Sequence, residues 1–153
     1  MNDTTQLDLF GECIFSVLET MTFIMADIIT VDEIVNDPGP CLEARMSFSG
    51  EKKGHVLITT QYGLGEELAL NMLGTEKKEL SDREVKDALR EILNMTCGQY
   101  LTGRFGQDPV FDLTVPEVRE IDINTWQEQA KSEDYLLIDA EGHQMMASIK
   151  AED

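Results

Sequence analysis

The stretch CLEARMSFSGEKKGHVLITT, residues 41–60, decides the fold class. Leu42, Ala44, Met46 and Phe48 alternate with polar residues, the period-two pattern of a half-buried strand. SGEKKG reads as a turn and HVLITT as a second strand, so the segment predicts a β-hairpin. Strands joined by so short a connection pair antiparallel. Just upstream, VNDPGP interrupts regular structure with Pro38, Gly39 and Pro40. Further upstream, residues 7–29 carry a helical stripe of Phe10, Ile14, Val17, Met21, Ile24 and Ile28.

Downstream of the hairpin, GLGEELALNMLG predicts a short helix closed by Gly74. Its G-x-G lacks a phosphate-loop lysine and marks helix entry, not a nucleotide site. Ser81 and Glu84 form a capping box, and Asp82 adds favourable charge to the first turn. The helix they open should run to about Gly103. Residues 110–115 (VFDLTV) alternate as a strand that Pro116 stops. The segment 117–133 gives no clear pattern, apart from Trp126 as the anchor of a helical turn. YLLIDA and HQMMASI, joined by Glu141 and Gly142, form a last hairpin. The order is helix, hairpin, two helices and further strands, without the alternation that a parallel sheet requires. It predicts one α+β domain over residues 1–153, with long helices packed on a largely antiparallel sheet.

The charge is lopsided: 30 Asp and Glu against 12 Lys and Arg give a net −18. Nucleic acid and anionic membrane both need a basic patch, so neither is an expected partner. The N-terminus lacks the positive start and apolar core of a signal peptide. The most apolar stretch is broken by Glu19 and Asp27, a poor membrane span. Cys13, Cys41 and Cys97 have neither CxxC spacing nor a histidine cluster, which points to core thiols in a reducing cytoplasm and no metal site.

The helix from Ser81 has two faces. Val85, Leu89, Ile92, Thr96 and Tyr100 share one sector, the core side. Asp87, Glu91, Asn94 and Gly98 share another, about 180° away. A mid-helix glycine costs ~1 kcal/mol relative to alanine, and close approach of another backbone is one reason to keep it. Carboxylates and amides on a solvated helix face are commonplace, so spacing alone carries little. Chemistry adds to it. An amide can hold a water in line with phosphorus, and positioning of this kind accelerates phosphoryl transfer. A carboxylate one turn away can pair with a partner's lysine and fix the docking.

These residues resemble the signature of the CheC/CheX/FliY-type chemotaxis phosphatases, with the nearest likeness to CheX. That signature is Asp or Ser, three residues, Glu, two residues, Asn, and a proline about twenty-two positions on. The chain has Asp87, Glu91, Asn94 and Pro116. LNMTCG, DLTVPEV and SVLETM are also similar to the family's elements. The resemblance implies a CheC-like fold and hydrolysis of the aspartyl-phosphate of a CheY-type response-regulator receiver. It gives Asn94 the role of orienting the attacking water and Glu91 the ion pair with the receiver's lysine. Asp87 and Gly98 would lie on the partner-binding face. The chain would need no cofactor of its own, because Mg²⁺ comes with the receiver. It also implies a homodimer joined through sheet edges. Some relatives carry a second Glu-x-x-Asn on the first helix; here the place is Glu19-Thr-Met-Thr22, and the shorter threonine argues for one site per chain.

A non-catalytic module that binds a receiver or a motor-switch component is the alternative, and Asn94 argues against it. The net charge adds an expectation. A receiver is acidic around its phosphorylation site, so the two proteins would meet against mean-field repulsion, and salt would speed their encounter.

Overall fold

The hairpin forms as its pattern requires. In the computed structural model, which describes residues 3–74 and 79–152, β2 (Cys41–Ser49) pairs antiparallel with β3 (Gly54–Gln61), Ala44 opposite Ile58 and Met46 opposite Val56. Leu42, Ala44, Met46 and Phe48 all point into the main core. The hairpin sits inside a seven-stranded antiparallel sheet with β1 (Ala26–Ile28), β6 (Leu136–Ala140) and β7 (His143–Ala151) on the β3 side. On the other side, β4 (Asp112–Leu113) and β5 (Glu117–Ile121) share the free edge of β2. The last hairpin turns at Glu141 and Gly142, both at positive φ (51° and 93°), as a tight two-residue connection demands.

Three helices, α1 (Asp3–Thr22), α2 (Tyr62–Leu73) and α3 (Asp82–Phe105), lie on one face of this sheet. Gly74 ends α2 at φ 61°, with its N–H on the Leu70 carbonyl. Phe10 of α1 meets Tyr100 of α3 edge-on, ring centroids 5.9 Å apart, which ties the two long helices together. The fold class read from the sequence is the one observed.

Four details differ from the sequence reading. The first helix stops at Thr22, not near residue 29. The Thr22 hydroxyl donates to the Leu18 carbonyl, Phe23 adopts φ 61°, and the chain leaves as the edge strand β1. Ile24 still reaches the core, whereas Ile28 is 58% exposed on that edge. Their spacing mimicked one more turn of helix. The 110–115 strand shrinks to Asp112–Leu113, with Val110 and Val115 exposed, because only Phe48 and Ser49 of β2 remain to pair with it. The third helix runs two residues past Gly103, to Phe105.

The fourth is the unclear segment 117–133, which forms β5 and α4 (Ile123–Lys131). Asp122 caps α4 by accepting from the Thr125 N–H at 2.8 Å. Trp126 is fully buried and donates Nε1–H to the Val35 carbonyl at 2.8 Å. It packs with Cys41, Leu137 and Met146 in a second cluster on the opposite sheet face. β2 is therefore covered on both sides rather than half-buried, and this second cover makes Glu43 only 2% exposed. Its buried side chain is satisfied by two donors, Arg119 Nε (3.0 Å) and Gln129 Nε2 (2.9 Å). The three cysteines are free and buried. Burial pushes the Cys41 and Cys97 thiols up to about 12.

Candidate functional site

The entry of α3 is fixed by local chemistry. Ser81 Oγ accepts from the Glu84 N–H at 3.1 Å, and the Glu84 carboxylate accepts from the Ser81 N–H at 3.0 Å. Asp82, in the first turn, accepts from Lys86 at 2.8 Å and from the Tyr62 hydroxyl at 3.0 Å. The Lys86 and Tyr62 hydrogen bonds hold its carboxyl below the ordinary value. Val85, Leu89, Ile92, Thr96 and Tyr100 are buried, as the helical spacing predicts. With that face locked into the core, the opposite one must look outward.

Asp87, Glu91 and Asn94 are exposed on that outward face, and Gly98 is half-exposed. A Cβ added at Gly98 would meet nothing within 4 Å, so no neighbour in this chain requires the glycine. Glu91 and Asn94 have no side-chain hydrogen bond or ion pair among the described residues. They border a shallow groove of about 460 Å³ whose other wall is Leu113–Pro116. The two side chains are available to a partner.

Asp87 is different. Its carboxylate accepts from Arg90 Nη1 at 2.7 Å and lies 3.9 Å from Arg83 Nε. Arg90 Nε in turn donates to the Pro116 carbonyl at 3.2 Å. Asp87 and Pro116, separated by 29 positions (116 − 87), are thus joined through one guanidinium. Pro116 is buried, and Thr114 binds Ser47 through its N–H (3.0 Å) and its hydroxyl (2.9 Å). The loop beside Glu91 and Asn94 is held at both ends. Sequence reasoning missed Arg90, although an Asp–Arg pair at i, i+3 on one helix face was a visible signal.

The second candidate pair separates. Glu19 is exposed, but Thr22 is fully buried and its hydroxyl is committed to the Leu18 carbonyl. No polar tip is left to present beside Glu19.

Comparisons with known proteins bear on the fold and the family. No curated protein matches the chain. Three solved structures share the fold: a chemotaxis protein CheX from Desulfovibrio desulfuricans (17% identity, 97% of this chain and 99% of that one, TM-score 0.70), the CheX of Vibrio vulnificus (22%, 99% of each, 0.69) and the CheX-CheY-BeF3-Mg²⁺ complex of Borrelia burgdorferi (19%, 95% and 97%, 0.64). The family model described as chemotaxis phosphatase CheX matches residues 42–139, from β2 through α3 to β6, well over half of the sequence. On that match, the chain belongs to the CheX chemotaxis phosphatase family.

Proposed function

We propose that the protein hydrolyses the aspartyl-phosphate of a CheY-type receiver, with the bare face of α3 as the catalytic probe. The observation that carries this reading is the contrast on that face: Asp87 is paired at home, whereas Glu91 and Asn94 are exposed without partners among the described residues, in a helix whose other side is packed into the core. A receiver already holds the phosphoryl group, its Mg²⁺ and a lysine. The phosphatase need add only a positioned water and a docking contact. The Asn94 amide accepts from and donates to that water, aiming its oxygen at phosphorus. As the new P–O bond forms, the bond to the receiver's aspartate breaks, giving inorganic phosphate and a free carboxylate. Glu91 pairs with the receiver's lysine, a contact that docking shields from solvent and so strengthens. Gly98 leaves the next turn flat for the approaching backbone, and Asp87 sets the flanking loop through Arg90.

Mg²⁺ belongs to the receiver in this scheme. Among the described residues no three His, Cys, Asp or Glu side chains converge as ligands would. No helix among them is long and apolar enough to cross a membrane. On this proposal the protein works in the cytoplasm, because that is where its receiver would be. A homodimer would join at β1, the short free edge where Phe23, Met25, Ile28 and Val31 are exposed. Sedimentation of the Ile28→Glu variant should then show a monomer where the wild type shows a dimer.

The test of the activity is phosphate release from receivers phosphorylated with acetyl phosphate in Mg²⁺, against the receiver's own hydrolysis. Acceleration at catalytic amounts of this protein supports the reading. Tight binding without acceleration would make it a non-catalytic binding module instead.

A further inference from the structure

The net charge of −18 describes the molecule poorly beside its candidate site. A groove of about 880 Å³ between the first half of α3 and β5 is lined by Arg45, Arg83, Lys86, Arg90 and Arg119. These are five of the chain's 12 Lys and Arg residues. Only three carboxylates, Asp82, Asp87 and Glu117, line it with them. The local balance is positive on a protein with 30 acidic side chains. The cations are also incompletely used. Arg45, exposed on β2, has no ion-pair partner among the described residues. Arg83 is 89% exposed and has only its 3.9 Å approach to Asp87. Arg119 holds Glu43 with Nε, yet its side chain remains 63% exposed.

The groove is continuous with the candidate site. Asp87, Arg90, Val115 and Pro116 line both it and the shallower groove that carries Glu91 and Asn94. A partner docked on Asn94 therefore spreads its neighbouring surface over the cations.

We propose that this groove binds an acidic surface segment of the receiver next to its phosphorylated aspartate, steering the receiver onto α3. The inference rests on the receiver reading above and deepens it. It also reverses the sign of the salt effect that net charge alone predicts. Local opposite charges govern encounter when they face the partner, because screening removes the distant charges first. The groove's excess of five cations over three carboxylates faces the partner directly, whereas the negative charge is spread over the rest of the surface.

The experiment compares two variants of equal net charge. One is Arg45→Gln/Arg83→Gln/Lys86→Gln, in the groove and outside the proposed catalytic pair. The other is Lys52→Gln/Lys53→Gln/Lys131→Gln, in the β2–β3 turn and on α4. Steady-state phosphate release is followed on acetyl-phosphate-driven CheY-type receivers, from about 0.02 to 0.3 M salt. For the wild type, kcat/KM should fall as salt rises. The groove variant should lose roughly tenfold in kcat/KM at low salt, with kcat kept and the salt dependence flattened. The control should stay within about twofold. Because Lys86 pairs with Asp82, the exposed single variant Arg83→Gln is measured beside the triple and should show a smaller loss of the same kind. Equal behaviour of the two triple variants, or a wild-type rate that climbs with salt, overturns the inference and leaves the phosphatase reading standing. A wild type that accelerates no receiver overturns both.

Discussion

α1 and α3 pack against each other on one face of the sheet, and both carry a glutamate followed three residues later by a short polar side chain. They put that pair to different uses. In α1 the pair is Glu19 and Thr22, on the last turn, where Thr22 is buried and bonds back to Leu18. The Asn71 amide then holds the Thr22 carbonyl at 2.8 Å, fixing the exit of the chain. In α3 the pair is Glu91 and Asn94, in mid-helix, with the helix continuing to Phe105 and both side chains outward. The same spacing therefore sits at the end of one helix and leaves an exposed polar pair on the other. A spacing can present both side chains to a partner only where the helix continues past it and its face stays bare.

After loss of the Asn94 amide itself, the largest effect expected on this comparison comes from Glu91→Ala. On the proposed scheme it removes the charge that would pair with the receiver's lysine, so kcat/KM should fall about a hundredfold or more, with weaker receiver binding. Measured affinity for a BeF3-Mg²⁺ receiver checks the binding part; unchanged affinity would remove the lysine pair from the account. The folded protein should be unaffected, within ~0.5 kcal/mol, because the side chain is exposed.

Thr22→Asn gives α1 the amide that α3 has. Thr22 is fully buried and its hydroxyl holds the Leu18 carbonyl, so a larger polar group should cost about 1–3 kcal/mol in urea unfolding and bring no phosphatase activity. A stable variant with faster phosphate release would make α1 a second site and break the comparison.

Gly98→Leu sharpens it from the other side. A Cβ there meets only open space, and helix propensity should improve stability by up to about 1 kcal/mol, raising the Tm by a few degrees. If the receiver docks on this face as proposed, its affinity should drop, because the added side chain fills the open surface at Gly98. Equal affinity would return Gly98 to an ordinary surface position.

The smallest effect concerns the charge that anchors the entry of α3. Lys86 and Tyr62 hold Asp82 below its ordinary 3.8, so the folded state binds this proton less readily than the unfolded one. The stabilisation is present above about pH 3.8 and is lost as pH falls below it. Asp82→Asn should flatten that part of the acid limb, read by the fluorescence of Trp126, the chain's only tryptophan. Identical acid limbs would deny Asp82 this role.

Much of this was legible in the sequence because it rests on short-range pattern. Alternation gave both hairpins, the Ser81–Glu84 box gave the start of α3, and its core stripe gave the outward line by subtraction. What stayed hidden depends on distant partners. Glu43 reads as the solvent side of a strand until α4 and Arg119 cover it. Ile28 reads as one more helical turn until β6 claims it as edge strand. Asp87 reads as one more carboxylate on the outward line, and its link through Arg90 to Pro116 leaves no local pattern to read. The basic groove assembles from β2, α3 and β5, so a net charge counted along the chain cannot reveal it.

The central claim is that Asn94 supplies the water's guide and little else. Single-turnover decay of a phosphorylated receiver, mixed with saturating Asn94→Ala protein by stopped flow, tests it most directly. The account predicts decay at the receiver's own rate, although the variant binds the BeF3-Mg²⁺ receiver about as tightly as the wild type and is equally stable. Decay at the wild-type accelerated rate would contradict it, and the catalytic group would have to be sought elsewhere on α3.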